Sequence, residues 1–117
     1  MITIEDFKKV DIRIGKVISA ERMDGSDKLI KFVFDIGGPA SAEATAGEGR
    51  RQIIGGLATA YPDPSVLVGR EMPLVLNLEP RKLMGHESQG MIMAADKDGK
   101  AVILTPHEEV PPGSVVK

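Results

Sequence analysis

The sequence predicts an all-β domain built as a small barrel of five or six short strands. Thirteen glycines and eight prolines divide the 117 residues into short segments, as is typical of all-β domains and not of helical bundles. Several of these segments alternate apolar and polar side chains, the pattern of strands that bury one face. A β-sandwich is the competing architecture, because the pattern of strands alone does not separate it from a barrel.

The first two strands carry the clearest alternation. Val10, Ile12 and Ile14 alternate with polar residues until the phase changes after Gly15, which predicts a bulge at this glycine. Such a bulge would let one long strand bend and serve two sides of a closed sheet. The second strand spans 29–36. Its apolar residues on one face are Ile30, Phe32, Phe34 and Ile36.

The segment 37–49 consists of Gly, Pro, Ala, Ser, Thr and Glu, and this composition buries too little apolar surface to become ordered. We therefore expect a mobile loop at 37–49 between the second strand and a third strand at 51–57. The single-domain prediction covers residues 1–117, because neither an internal repeat nor a linker divides the chain.

The second half of the chain contains a helical turn, a fourth strand and a hairpin. Asp63 stands as an N-cap before Pro64, which predicts a short helical turn. The fourth strand follows over 72–78. The nitrogen of Pro73 cannot donate to a ladder, so we expect it at a sheet edge or at the strand start. Asp98-Gly99 predicts a hairpin between 90–95 and 100–105, followed by a C-terminal extension.

Composition and charge exclude several classes of function. With 42% hydrophobic and 27% charged residues, the chain is typical of a soluble globular protein. It has no apolar run of the roughly 18 to 20 residues that a membrane span needs, and no secretory signal, so we expect a cytoplasmic protein without a membrane partner. The chain has zero cysteines, which excludes disulfides and thiolate catalysis. The net charge of −2 gives no general attraction for nucleic acid.

The chain offers no convincing catalytic or cofactor-binding motif. Residues 86–90 differ from a G-x-S-x-G nucleophile elbow, because His86 stands where the first glycine belongs and no strand-turn-helix context surrounds the serine. Two histidines without i, i+4 spacing do not form a metal site. We therefore expect no enzyme activity, no cofactor and no metal.

The segment 77–91 is the best candidate for a binding loop. It leaves one strand, passes through adjacent Arg81 and Lys82, and enters the next strand after Ser88. On a small barrel such a loop lies at the mouth, where amide, hydroxyl and cationic donors can converge on phosphate and sugar oxygens. The simpler interpretation is a turn with two exposed charges. Stacking of single-stranded bases is disfavoured, because the chain has only four aromatic residues and two of them, Phe32 and Phe34, are predicted core.

These residues carry a specific resemblance. Asn77-Leu78-x-Pro80-Arg81-Lys82, then Gly85, then Ser88-x-Gly90-Met91 resembles the signature of the EMAP II-like tRNA-binding domains. Further similar segments lie at 10–17, 25–29, 51–56, 61–64 and 67–70, so the resemblance covers most of the chain. Residues 25–29 and 60–64 are most similar to the tRNA-binding domain at the C-terminus of methionyl-tRNA synthetase.

The resemblance implies an OB-fold, a five-stranded barrel with short helical turns and a C-terminal extension. It also implies a non-catalytic module that binds tRNA as a homodimer, either as part of methionyl-tRNA synthetase or as a free-standing protein. In the interpretation it supports, four cations contact phosphates: Lys28, Arg51, Arg81 and Lys82. The outer corner of folded tRNA is contacted by Asn77, Ser88, Gly90 and Met91.

Two alternatives stay open at this point. A peptide-binding secretion chaperone of the CsaA type shares the fold and most of the signature; it would use an apolar groove lined by Met84 and Met91, with little dependence on salt. A structural dimerisation module of a larger enzyme would bind neither RNA nor peptide.

Overall fold

A computed structural model of the chain describes residues 1–37 and 49–117. Of the mobile loop predicted for 37–49, residues 38–48 lie outside the described residues. A short helix, α1, spans Ile4–Phe7, and a 3-10 helix spans Pro64–Leu67. The longer strands are β1 (Ile12–Arg22), β2 (Ile30–Asp35), β3 (Arg50–Gly55) and β4 (Glu71–Val75). The shorter strands are β5 (Arg81–Leu83), β6 (His86–Ser88), β7 (Met91–Ile92), β8 (Ala94–Lys97) and β9 (Lys100–Ile103).

Five antiparallel strands form a nearly closed barrel in the order β3-β2-β1-β4-β7. β1 is 11 residues long and serves two sides: Ile12 to Lys16 pair with β4, and Lys16 to Arg22 pair with β2. β3 meets β6 and β7 across the remaining gap. The barrel prediction is therefore confirmed, and the sandwich is not the architecture of this chain.

The bulge in β1 lies further along the strand than predicted. The register shifts between Val17 and Ser19, whereas Gly15 stays in register opposite Met72, so the prediction of a bulge at Gly15 is wrong. The glycine serves close packing instead. A Cβ at this position would lie 2.5 Å from Cδ1 of Leu74.

The core lies inside the barrel, on the face predicted for the second strand. Ile30, Phe32 and Phe34 have 0% exposure, and the two phenyl rings stack with centroids 5.4 Å apart. Ile53 from β3 and Leu74 from β4 join the same cluster with 0% exposure. The aromatic side chains of β2 are thus structural, as their alternation predicts.

Pro73 occupies an inner strand, so its predicted place at a sheet edge or strand start is wrong. Its β1 partner is Ile14, which directs its backbone groups away from β4: its N–H donates to Ser114 O (2.9 Å) and its carbonyl accepts from Gly113 N–H (2.7 Å). Proline is tolerated because this pair needs no hydrogen bond from its nitrogen. On the other side, Pro73 O accepts from Met93 N–H at 3.0 Å, where the β4–β7 ladder ends.

The two predicted turns are confirmed. Asp63 caps the 3-10 helix by accepting from Ser65 N–H at 3.1 Å, with Pro64 at its first position. Asp98 and Gly99 have φ values of 53° and 83° and join β8 to β9, as an Asp-Gly hairpin requires. The C-terminal segment then pairs with β1 through the bridge of Arg13 and Val115.

Candidate nucleic-acid interface

Residues 77–91, which we call the signature segment, close the barrel against β3. The backbone N–H of Gln89 donates to Gln52 O at 2.8 Å, and Gln52 N–H donates to the side-chain Oε1 of Gln89 at 3.1 Å. The buried N–H of Ile54 donates to Oγ of Ser88 at 3.0 Å. Ser88 is 3% exposed, so its hydroxyl anchors the loop on the barrel and presents little surface to a ligand.

Arg51 is held in place by backbone carbonyls. Its Nη1 donates to Leu76 O at 3.1 Å and to Gln89 O at 3.2 Å, and the residue is half-buried. A guanidinium carries five N–H donors in a rigid fork, so one nitrogen can hold the structure while the others face a ligand. Arg51 therefore links β4, the signature segment and β3.

Asn77 ties the N-terminal segment to the end of β4. Its Oδ1 accepts from Asp11 N–H at 2.8 Å, and its Nδ2 donates to Lys9 O at 2.6 Å. Both ends of the amide are engaged with backbone, although the residue is exposed. This asparagine positions the start of the signature segment relative to β1.

β5 and β6 form a two-stranded ribbon, the β5–β6 ribbon, with Arg81 opposite Ser88 and Lys82 opposite Glu87. Residues directly opposite one another share a face of the sheet, and neighbours along a strand point to opposite faces. Arg81 therefore lies on the face of Ser88, whereas Lys82 lies on the other face with Glu87. The two adjacent cations are both exposed, but they serve different surfaces.

The loop and ribbon enclose a cleft of about 350 Å³, which we call the signature cleft. Its lining residues are Ile54, Leu78, Glu79, Pro80, Arg81, Ser88, Gly90 and Met91. Ile54 is buried at 5% exposure, whereas Leu78 and Met91 are 47% and 48% exposed. The cleft therefore has accessible apolar walls and both signs of charge.

Gly90 is required by the backbone at the cleft. Its φ is 154°, and a Cβ here would lie 2.8 Å from Val75 O and 3.1 Å from Cδ1 of Ile53. Any side chain would push the signature segment away from β4. The absence of a Cβ lets Ser88 and Met91 reach their positions on the barrel.

The structure brings together half of the residues predicted to contact tRNA. The signature cleft contains Arg81, Ser88, Gly90 and Met91. Lys28, Arg51, Asn77 and Lys82 lie outside its lining, with Lys28 exposed just before β2. The cleft is also lined by four residues that were not predicted to contact tRNA: Ile54, Leu78, Glu79 and Pro80. Their available signal is that three of them directly precede Arg81 in the signature.

Met84 and Met91 do not line the one common groove that the chaperone alternative predicted. Met91 lines the signature cleft, whereas Met84 lines a second cleft of about 230 Å³ together with Met23 and His86. Met84 also sits at the tip of the β5–β6 ribbon with a φ of 52°. The two methionines therefore belong to separate surfaces.

Metal sites and membrane-spanning helices are both absent from residues 1–37 and 49–117. In that part of the chain, no group of three His, Cys, Asp or Glu residues is placed to hold a metal ion. Nor does the described part contain a helix long and apolar enough to cross a membrane.

The sequence profile of the family described as "Putative tRNA binding domain" matches residues 12–115. The chain belongs to this family. The match includes the whole barrel and the signature cleft, so the resemblance stated from the motifs is confirmed. This family member is a tRNA-binding domain similar to the one found in methionyl-tRNA synthetases.

Curated relatives of this tRNA-binding domain are methionine–tRNA ligases. The ligase of Archaeoglobus fulgidus is 50% identical over 115 residues, which is 98% of this chain and 16% of the ligase. The ligase of Caldanaerobacter subterraneus subsp. tengcongensis is 44% identical over the same shares. The chain thus spans about one sixth of the length of the curated relatives it matches.

Solved structures similar to the tRNA-binding domain cover its full length. The MetRS related protein from Pyrococcus horikoshii has a TM-score of 0.86 at 35% identity, covering 100% of this chain and 98% of that one. The chaperone CsaA of Bacillus anthracis has a TM-score of 0.82 at 27% identity, with 100% and 99% covered. The CsaA chaperone of Picrophilus torridus shares the fold, with a TM-score of 0.83 at 23% identity over 100% of both chains.

Proposed function

We propose that the signature cleft and the β5–β6 ribbon bind folded tRNA, and that the chain acts as a non-catalytic accessory module. The observation that carries the proposal is the grouping of Arg81, Ser88, Gly90 and Met91 in one accessible cleft of a tRNA-binding domain. Recognition is by shape, because cations and backbone donors contact the sugar-phosphate surface of a folded RNA.

The eight predicted residues have two kinds of role in this proposal. Lys28, Arg51, Arg81 and Lys82 contact phosphates. Asn77, Ser88 and Gly90 hold the loop in the shape that fits the outer corner of tRNA, because their polar atoms or their backbone are engaged with the barrel. Met91 contacts the RNA directly with its half-exposed side chain.

The salt dependence of binding tests the number of phosphates contacted. About four to six neutralised phosphates correspond to a log-log slope of roughly −3 to −5, at about 0.7 to 0.9 per phosphate. We expect this slope in a filter-binding titration of the whole chain with bulk tRNA. Affinity that is independent of salt, or no binding at low salt, would contradict the proposal.

Peptide binding is the second candidate, favoured by the similarity to the chaperone CsaA of Bacillus anthracis at 27% identity. An apolar peptide groove depends little on ionic strength, whereas phosphate contacts depend on it strongly. A titration with an unfolded polypeptide at two salt concentrations, beside the tRNA titration, separates the two functions. Tight polypeptide binding that is insensitive to salt, with no tRNA binding, would favour the chaperone.

The module acts as a homodimer in this proposal. α1 buries none of its residues, and the apolar side chains of Met1, Ile2 and Ile4 are all exposed. A second copy covering this apolar segment would also double the contacts with one tRNA and so raise avidity. Light scattering should give twice the 12.5 kDa of one chain, and Ile4→Glu should lower the mass without unfolding the barrel. A wild-type monomer would contradict this.

Methionyl-tRNA synthetase is the proposed partner, with the catalytic steps carried out by the rest of that enzyme. In that setting the module raises the affinity of the synthetase for tRNA without selecting the anticodon. Adding the chain to a synthetase that lacks this domain should lower KM for tRNA and leave kcat unchanged. The proposed location is the cytoplasm, which cell fractionation tests.

A further inference from the structure

The walls of the signature cleft do not match a site for phosphate alone. Phosphate oxygens need donors and cations, but Leu78, Pro80 and Met91 present apolar surface around the buried Ile54. A cleft of about 350 Å³ is within the range of small-ligand pockets, about 300–1,000 Å³. In folded RNA, the flat groups with apolar faces that can enter such a cleft are unstacked bases of loops.

Glu79 adds a second observation. It lines the cleft beside Arg81, and it takes part in no ion pair among the residues the structure describes. An exposed carboxylate next to a polyanion is repelled by the phosphates. Its place in an RNA-binding cleft is favourable only if the RNA donates hydrogen bonds to it.

The bases differ in what they can donate to two carboxylate oxygens. Guanine carries two adjacent donors on its Watson–Crick edge, N1–H and N2–H, which match a carboxylate side by side. Adenine and cytosine present an amino group next to an acceptor, and uracil presents one N–H between two carbonyls; an acceptor beside a carboxylate is repelled. Arg81 remains available for the phosphate of the same nucleotide.

We infer that the signature cleft takes an unpaired guanine from a loop of folded RNA, with Glu79 accepting from N1–H and N2–H and the apolar walls contacting the base. This inference rests on the proposed tRNA binding and names the group recognised there. Glu79 then decides which base occupies the cleft, and the surrounding cations supply most of the affinity.

The first experiment is chemical footprinting of tRNA bound to the whole chain. A 1,2-dicarbonyl reagent modifies guanine at N1 and N2, so a bound guanine should be protected at one unpaired position. Glu79→Gln should bind tRNA but lose that protection, because its amide presents a donor where the base also donates. Glu108→Gln is the matched control, since Glu108 is exposed and does not line the signature cleft. It should keep the protection.

The second experiment replaces the protected guanosine by inosine, which lacks the N2 amino group. Wild-type affinity should fall about tenfold or more, the range for a hydrogen bond to a charged group, whereas Glu79→Gln should bind both RNAs equally. Circular dichroism should show that each variant is folded.

The outcomes separate the two proposals. If wild-type protein binds no tRNA at all, the proposed function fails. If it binds tRNA with no protected unpaired guanine, with equal affinity for inosine, or with protection that persists in Glu79→Gln, tRNA binding stands and the guanine inference is overturned.

Discussion

Ser88 Oγ accepts a hydrogen bond at 3.0 Å from the backbone N–H of Ile54, a residue 34 positions earlier in the chain. This contact joins the end of the β5–β6 ribbon to β3, at the gap where the five-stranded sheet closes. The serine of the family signature is therefore a structural residue of the signature cleft. Although the Ser88 hydroxyl is buried, its hydrogen bond to β3 fixes the shape of the cleft.

Replacing Ser88 by alanine should destabilise the barrel. The substitution leaves the buried N–H of Ile54 without its acceptor, which costs about 1–3 kcal/mol. Urea denaturation should show a lower midpoint with an unchanged slope. Thr105→Ala is a suitable control, because it removes a hydroxyl from an exposed residue. Equal midpoints for Ser88→Ala and wild type would show that the hydrogen bond is not needed for closure.

Gly90→Ala should destabilise the protein more strongly. A Cβ 2.8 Å from Val75 O, added to the unusual φ of 154°, should cost about 2–4 kcal/mol through overpacking and backbone strain. Gly56→Ala is the matched control, since nothing lies within 4 Å of a Cβ there. Thermal denaturation should separate the two variants. Equal melting temperatures for the two variants would show that the close approach of Gly90 to β4 does not limit stability.

The barrel could be predicted largely from alternation. Ile30, Phe32 and Phe34 recur with the period of a strand, and the structure buries all three. The two wrong predictions, the bulge at Gly15 and the edge position of Pro73, concern places where segments distant in sequence meet. Gly15 accommodates Leu74 from β4, and Pro73 is tolerated because the C-terminal segment takes the hydrogen bonds of its β1 partner. Neither contact can be predicted from the alternation of apolar and polar residues within one strand.

The signature motif predicted residues of the candidate site, but the sequence did not predict the geometry within that site. The signature identified Arg81 and Ser88, but only the strand register shows that they share a face while Lys82 lies on the other. Asn77 was predicted as an RNA contact, and the structure shows its amide engaged with the backbone of Asp11 and Lys9. The role of Asn77 could not be read from the motif, because its partner Asp11 lies 66 positions away in the sequence.

Arg51→Ala should lower stability as well as tRNA affinity. The buried residue Leu76 would lose the donor to its carbonyl, as would Gln89, and leaving such groups unpaired costs about 1–3 kcal/mol. Arg81→Ala provides the contrast, because Arg81 is exposed and should affect affinity with little effect on stability. Denaturation and tRNA titration of both variants test this. Equal stability of the two would contradict the structural role of Arg51.

Asp63 should make the stability of the 3-10 helix depend on pH. Hydrogen bonds from the side chain and then the backbone N–H of Ser65 hold the pKa of this carboxyl below its ordinary value of 3.8. A lowered folded-state pKa means that the stabilisation is complete above the unfolded-state pKa and is lost as pH falls through the folded-state pKa. The gap in melting temperature between wild type and Asp63→Ala should therefore be largest near neutral pH and shrink below about pH 4. A gap independent of pH would show that the charge contributes nothing.

The opposite faces of the β5–β6 ribbon lead to a prediction about additivity. Arg81 and Lys82 are neighbours in sequence but point to different surfaces, so each should contact its own phosphate. Single alanine substitutions should each reduce the log-log salt slope of tRNA binding by about 0.7 to 0.9, and the double substitution by about twice that. Lys97→Ala on β8 controls for loss of charge outside the cleft and should leave the slope unchanged. If the double variant loses no more than one single variant, then the two cations act on the same phosphate. If all slopes equal that of wild type, the ribbon is not where tRNA binds.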